Sequence, residues 1–297
     1  MFKLHHLKGD TYYIDSPTNV GVYKLGTRDC ILIDTCYAGS ITEKLLSTLS
    51  YYSLNVKSIL HTHAHVDHFG SDPTIQNKYN CTIGAPSAEN IFIEQPELTT
   101  LLITNASPLS ALNSNFPMDA SRVDIVYKED TVTVEDVTIT LLDLKGHSIN
   151  HTGIMTPDDV IFSGDAFLDQ KELSQVKMLY NYDIGRAIKS MNFLSDTNHS
   201  IYVPSHGKPS SSIKETIWYN LSFLEEKSQQ LLKLLKNEPL SMEEILRILI
   251  LEYGVTEQVR QYYIAQACIF SHISYLENMG LLKIILDGGV IKFIHEK

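Results

Sequence analysis

The segment His61-Thr-His63-Ala-His65-Val-Asp67-His68-Phe69-Gly70 constrains this chain more than any other. It grows out of Val56–His61, which reads as a buried strand, and a helix is expected after Gly70. A strand that runs straight into a polar loop places that loop at its C-terminal edge, where α/β sheets build their sites. Four metal-competent groups, His63, His65, Asp67 and His68, fall within six residues there. Imidazole and carboxylate are the donors that hold zinc and similar divalent ions. At this spacing His63 and His65 can face one ion while Asp67 and His68 turn toward a second. His61 is out of register for ligation and is expected to serve the structure.

The first 211 residues alternate short strands and helices. Thr11–Asp15 and Val20–Leu25 read as paired strands with a turn at Ser16–Asn19. Cys30-Ile-Leu-Ile-Asp34 is an apolar strand ending in a carboxylate, and Ser40–Leu49 has helical spacing. Cys81–Ala85 reads as a strand. Residues 86–122 carry Pro86, Pro96, Pro108 and Pro117 and no strong period, so a long loop is expected. Its Phe92, Pro96, Leu98 and Phe116 could wall or cover a site. Val123–Val126, Thr131–Val134, Val137–Leu144, Val160–Phe162 and Ile201–Val203 continue the strand pattern.

From residue 212 the texture changes, and the boundary between a larger and a smaller domain is placed there. Lys214–Lys236 is a long helical stretch. Ser241, with Glu244 three residues on, opens another as a capping box. Gln261–Met279 is a third, ended by Gly280. Leu281–Leu286 and Val290–Ile294 flank Asp287-Gly288-Gly289 as a hairpin.

Bulk properties narrow the partners. A chain of 297 residues with 43% hydrophobic and 20% charged residues is ordinary for a globular protein. Its formal charge of −11 repels nucleic acid and anionic membranes at long range. Residues 212–297 hold nine Lys/Arg against eleven Asp/Glu, and Gln261–Met279 has no Lys or Arg, so nucleic acid is not the expected partner. Cys30, Cys36, Cys81 and Cys268 lack zinc-ribbon spacing and read as buried free thiols. With no secretory signal and no apolar run long enough for a bilayer, the expectation is a cytoplasmic protein without a membrane role. No Gly-x-Ser-x-Gly or phosphate-binding Gly-x-x-x-x-Gly-Lys motif is present, so a serine nucleophile is not indicated.

His63-x-His65-x-Asp67-His68 resembles the signature of the metallo-β-lactamase superfamily, shared by glyoxalase II, bacterial lactonases and several nucleases. The resemblance extends in chain order over residues 30–208. Leu32-Ile33-Asp34-Thr35 resembles the early acidic motif. Gly146-His147-Ser148 resembles the element that gives the third ligand of a first metal. Ser163-Gly164-Asp165 resembles the one whose carboxylate bridges both metals. Ser205-His206-Gly207 resembles the closing element of the second. The implied metal ligands are His63, His65, Asp67, His68, His147, Asp165 and His206, with Asp34 and His151 behind them. The implied fold is a four-layer αββα sandwich, two mixed sheets face to face with helices outside and the metals at one edge. Some bacterial members also share a Pro-containing insertion, a Pro-Ser-His-Gly motif and a winged-helix-like tail, which residues 86–120, Pro204–Gly207 and 241–297 resemble.

Such a ligand set implies two metal ions, zinc first among zinc, iron and manganese, about 3.5–4 Å apart with a bridging hydroxide as nucleophile. Asp67 would both ligate and orient that nucleophile. The expected activity is hydrolysis of a small ester, thioester or lactone, hydroxyacylglutathione hydrolase-like. The basic cluster that glyoxalase II uses for glutathione has no match in residues 212–297. A nuclease gripping nucleic acid through the tail and a metal- or ligand-sensing regulator are the alternatives. β-Lactamase activity is not expected without a secretion signal. Flavodiiron proteins replace one of these histidines by a carboxylate, and persulfide dioxygenases use fewer ligands and one iron. Asp169, Lys171, Glu172 and Tyr180–Tyr182 could face the substrate, and a homodimer is open.

Overall fold

The computed structural model describes residues 1–107, 109, 119–255 and 258–296. Seven strands, β1 (Lys3–Lys8), β2 (Thr11–Asp15), β3 (Val20–Lys24), β4 (Asp29–Ile33), β5 (Asn55–Leu60), β6 (Thr82–Pro86) and β7 (Ile125–Tyr127), form one sheet in that order. Pairing is antiparallel from β1 to β4 and parallel from β4 to β7. Five more, β8 (Thr131–Val134), β9 (Val137–Asp143), β10 (Thr152–Met155), β11 (Val160–Gly164) and β12 (Ile201–Pro204), form a second sheet ordered β12-β11-β10-β9-β8. There only β11 and β12 run parallel.

Strand alternation explains why these sheets stack. On β4, Ile31 and Ile33 join Leu60, Val132, Ile139 and Phe162 in an apolar cluster between the sheets. Cys30 and Leu32 point the other way, onto Leu45 and Leu49 of α1 (Ser40–Tyr51), with Ile75 of the helix Asp72–Tyr79. On β11, Val160 and Phe162 face inward, while Ile161 packs with Met191, Leu194 and Leu224 from the outer helices. Side chains of successive strand residues point to opposite faces, so each apolar strand serves two layers. Each fully buried Ile or Leu contributes roughly 1.5–3 kcal/mol. The result is the four-layer αββα arrangement of two mixed sheets.

The remaining helices are α2 (Val66–Phe69), α3 (Asp72–Tyr79), α4 (Glu89–Glu94), α5 (Glu97–Thr104), α6 (Gln170–Leu173), α7 (Ile184–Asp196), α8 (Lys214–Leu234), α9 (Met242–Tyr253) and α10 (Val259–Asn278). The long loop expected at 86–122 is corrected by α4 and α5. Pro86 ends β6 shortly before α4, and Pro96 occupies the N-cap position of α5. Pro96 thus stands at a helix start, where a missing N–H costs nothing. Pro108, Phe116 and Pro117 lie outside the described residues. Strands β1 and β10 and helix α7 were not anticipated. The period of α7 is nevertheless in the residues: Ile184, Ala187, Met191 and Leu194 are buried, and the Asp183 side chain caps it by accepting the Arg186 N–H.

At the C-terminal end, Ser241 and Glu244 form a reciprocal capping box that starts α9. Strands β13 (Leu240–Ser241), β14 (Leu282–Asp287) and β15 (Val290–His295) make a third sheet. Asp287 pairs with Val290, and Gly288 and Gly289 between them hold φ of 56° and 83°, the left-handed pair a two-residue turn requires. Helix α8 serves two cores. Ile217 and Leu224 pack with Leu144 and Tyr202 of the second sheet's outer layer, and Leu231 and Leu232 pack with Ile245, Ile269 and Phe293. All four cysteines are free and buried. No described helix is long and apolar enough to cross a membrane.

Candidate metal centre

Five loops leave the C-terminal ends of β4, β5, β9, β11 and β12 and carry Asp34, His63–His68, His147, Asp165 and His206 to one edge of the sandwich. There the structure gathers all seven of the sequence-derived candidates into two groups. His63, His65, His147 and Asp165 form one, and Asp67, His68, Asp165 and His206 form the other, with the ligand atoms of each group within 4.8 Å of one another. Asp165 belongs to both. Its Oδ2 lies 3.3 Å from His147 Nε2, while its Oδ1 lies 3.4 Å from His68 Nε2 and 3.7 Å from His206 Nε2. In the first group His65 Nδ1 stands 3.0 Å from His63 Nε2 and 2.9 Å from His147 Nε2.

The outward nitrogens settle which way the inner ones face. His68 Nδ1 donates to Asp34 Oδ2 at 2.8 Å, His147 Nδ1 to the Tyr180 carbonyl at 3.2 Å, and His206 Nδ1 to the Pro17 carbonyl at 3.1 Å. Each Nε2 in the neutral ring is then a lone pair aimed inward. Buried His68 Nε2 and Asp165 Oδ1 face each other without a hydrogen-bond partner. Lone pairs and carboxylate oxygens converging in a buried space repel unless a proton or a metal cation lies among them. The donor set is all imidazole and carboxylate, which suits a divalent metal of the zinc, iron or manganese kind. These residues therefore fit a metal site.

The two groups differ electrostatically. Burial, reinforced by His68 and the other surrounding imidazoles, drives His63 well below the usual histidine range. Burial and His147 push His65 down to about 4, and burial outweighs Asp165 in pushing His147 to about 4. In the second group burial is overcome by carboxylates. Asp34, Asp165 and Asp67 raise His68 well above its ordinary value, and Asp165 and Asp67 raise His206 to about 9. Burial would raise Asp67, but His68 and His206 hold it down at about 2.

A second layer of contacts holds the donors. Asp34, in a left-handed conformation with φ 59°, accepts from the Thr62 N–H at 3.0 Å, the Thr62 hydroxyl at 2.8 Å and both His61 and His68. His61 bridges Asp34 at 3.2 Å and Asp72 at 2.7 Å, so it touches carboxylates on both sides and no member of the metal groups. Burial opposes its charge, yet Asp72 and Asp34 raise it to about 9. His151 Nε2 accepts the Asp165 N–H at 2.9 Å, which fixes the backbone of the shared carboxylate. Gly164, with φ +56°, has no room for a side chain, since a Cβ would sit 2.3 Å from His151 Nε2. Gly164→Ala is expected to cost at least ~1–2 kcal/mol from the left-handed backbone alone. It should also reduce metal content by displacing His151. A urea midpoint and metal analysis both equal to wild type would refute that role.

The brace formed by Pro17, Thr18 and Asn19 escaped sequence reasoning. The turn read as a plain connection at Ser16–Asn19 braces the second group. The Pro17 carbonyl accepts from His206, the Thr18 hydroxyl donates to Asp67 Oδ2 at 3.3 Å, and Asn19 Nδ2 donates to the Pro204 and Gly207 carbonyls at 2.8 Å each. The Tyr180 ring packs against His65 and His147, with centroids 5.7 Å from each. Burial chiefly, with Asp67 adding, raises the Tyr37 phenol, and Arg260 of α10 opposes that shift. Asp169 caps α6 and also accepts the Lys208 N–H at 3.0 Å, so it braces the His206 loop, while Lys171 and Tyr182 are exposed. Phe92 packs beside Phe69 and Ile93 in a small cluster under the His-rich loop.

Residues 13–206 match the sequence profile of the metallo-beta-lactamase superfamily, and the chain belongs to that superfamily. No curated protein gives a significant sequence match. Among solved structures, a metallo-beta-lactamase family protein from Thermus thermophilus superposes with a TM-score of 0.75 at 17% identity, covering 97% of this chain and 99% of its own. A beta-lactamase domain protein from Burkholderia ambifaria gives 0.78 at 17% identity, covering 99% and 94%. The subclass B3 metallo-beta-lactamase BJP-1 of Bradyrhizobium japonicum gives 0.58 at 21% identity, covering 78% and 94%. At such identities the likeness is one of fold. The first two superpositions extend through α9 and α10 as well. The class defined by fold and site is that of metal-dependent hydrolases with a His/Asp centre.

Proposed function

We propose that this protein is a dinuclear metal hydrolase that cleaves a small ester, thioester or lactone, in the manner of hydroxyacylglutathione hydrolases. The observation that carries it is the shared carboxylate: Asp165 belongs to both groups, with Oδ2 facing His147 and Oδ1 facing His68 and His206. Two divalent metal ions, zinc first, would supply a water acidified to near-neutral pKa and a Lewis acid for the substrate carbonyl. The chain's own residues do the rest. His63, His65 and His147 would hold the first ion, Asp67, His68 and His206 the second, and Asp165 both. Asp67, steadied by the Thr18 hydroxyl, orients the attacking water through its carboxylate. The Tyr180 ring, which packs against His65 and His147, would line the approach to the first group. The acidic charge of the chain and of its last third supports a small-molecule substrate over nucleic acid.

The test is metal analysis of the purified protein with a panel of thioester, lactone, phosphodiester and RNA substrates. About two equivalents of metal with ester-type turnover is expected. Turnover of phosphodiesters alone would replace this reading by a nuclease, and a single iron by a dioxygenase.

The two ions should also respond differently to pH. His206 at about 9 and the more strongly raised His68 must each lose a proton to become ligands, while His65 and His147 at about 4 are already neutral above pH 5. Binding at the second group therefore releases protons, and binding at the first does not. As pH falls from 9 toward 6, second-group affinity is expected to drop ~10-fold or more per pH unit while first-group affinity stays level. Chelator competition across that range measures it. Loss of the first ion ahead of the second would contradict the assignment.

A further inference from the structure

A buried carboxylate that the hydrolytic reading leaves unused joins the two loops of the first group. Glu89, at the first position of α4, is 2% exposed. Its Oε2 accepts the Ala64 N–H at 3.1 Å, and its Oε1 accepts the Ser148 hydroxyl at 2.6 Å and the Asn150 N–H at 3.0 Å. Ala64 lies between His63 and His65, and Ser148 directly follows His147. One side chain thus spans the 63–65 loop and the 147–150 loop, which are brought together from β5 and β9 in different sheets. The segment carrying it is tied to the same place a second time, since Asn150 Nδ2 donates to the Ser87 carbonyl at 2.6 Å. Between these contacts Ala88 holds φ 68° and ψ −31°, a region a residue with a Cβ rarely adopts. Such a backbone persists only where its surroundings over-determine it.

Burying a carboxylate costs several kcal/mol unless donors meet it, and here the donors come from the backbone and a hydroxyl of the two ligand loops. One carboxylate meets all three donors at once, so it ties Ala64 and Ser148 to one another, and through them sets where His63, His65 and His147 sit.

We propose that Glu89 is a positioning residue that sets the separation of the His63–His65 loop from the His147 loop, and thereby the geometry and affinity of the first cation site. This rests on the dinuclear reading of the centre. Carboxylates behind metal ligands are worth roughly 10–100-fold in affinity.

The experiment uses cobalt(II) alone as the probe. Glu89→Gln, Glu89→Asp and Ser148→Ala are each placed in a His206→Ala background, which leaves the first group, and in a His65→Ala background, which leaves the second. Affinity by chelator competition and the visible absorption bands of bound cobalt are read together with the urea midpoint. Glu89→Gln is expected to weaken the first group ~10–100-fold and shift its bands, and to leave the second group unchanged. Glu89→Asp keeps the charge but is one methylene too short to span both loops, so it should be nearly as weak. Ser148→Ala, with two of the three donors intact, should fall between wild type and Glu89→Gln, and it carries the test if the Glu89 variants fail to fold. Unchanged affinity and bands in a folded Glu89→Gln protein would overturn the proposal. So would equal losses at both groups, or full rescue by Glu89→Asp. Uptake of no cobalt by the unsubstituted protein would overturn the dinuclear reading, whereas normal uptake there with an unaffected Glu89→Gln would overturn only the role of Glu89.

Discussion

Asp165→Ala is expected to empty both cation sites and abolish hydrolysis in one step. Its two oxygens are divided between the groups, Oδ2 toward His147 and Oδ1 toward His68 and His206. Removing the side chain takes the only carboxylate from the first group and one of two from the second. The three imidazoles of the first group would then have to hold a dication without a negative charge among them. The loss in kcat/KM should exceed the ~10²–10³-fold that follows removal of a single electrostatic contact to a transition state. His63→Ala removes a donor from one group only, so it should retain about one equivalent of metal and lose activity. Metal analysis after dialysis separates the two outcomes. Two equivalents in Asp165→Ala would sink the shared-carboxylate assignment.

Asp34→Ala is the substitution with the largest expected effect on stability. Asp34 is 2% exposed and lies between the His61 and His68 imidazoles. Burial would raise its carboxyl, but His68 and the hydrogen bonds from His61 and His68 hold it below the usual carboxylate range. Losing it leaves the Nδ1 of two buried imidazoles and the Thr62 N–H without their partner. Breaking a buried pair from one side typically costs ~3–5 kcal/mol. The sign with pH follows from the two shifts. The lowered Asp34 carboxyl stabilises the fold above its unfolded value of 3.8, and that contribution is lost as pH falls toward the folded value. The raised His61 stabilises the fold below 6.5 and loses its contribution as pH rises through about 9. The gap between wild type and Asp34→Ala in urea unfolding should therefore be widest between about pH 4 and pH 6.5. A flat difference across pH 3 to 10 would show that the pair carries no linked charge.

Much of the architecture was written locally. The strand Cys30–Ile33 was legible because burial on both faces demands unbroken apolar residues, and Val56–Leu60 because its Val56, Ile59 and Leu60 lead directly into the His-rich segment. The capping box at Ser241 and the turn at Gly288–Gly289 were legible because each satisfies local backbone geometry with nearby residues. Helices α4 and α5 were not, since six- and eight-residue helices have too few turns to show a period, and their prolines resembled loop markers. Strand β10 was missed because Thr152–Met155 is only four residues long and is held by β9 and β11 rather than by its own propensity.

The same division runs through the centre. By itself the sequence determined which side chains could bind a cation, because His63, His65, Asp67 and His68 lie together on one loop and the motifs at His147, Asp165 and His206 follow in order. What only the tertiary structure decided is how those donors are held. Glu89, Pro17, Thr18 and Asn19 reach the centre across separations of 25 to 189 residues. A single hydrogen bond across such a separation leaves no periodic trace along the chain. Its partners become visible only when two sheets stack and bring the ends of five strands to one edge.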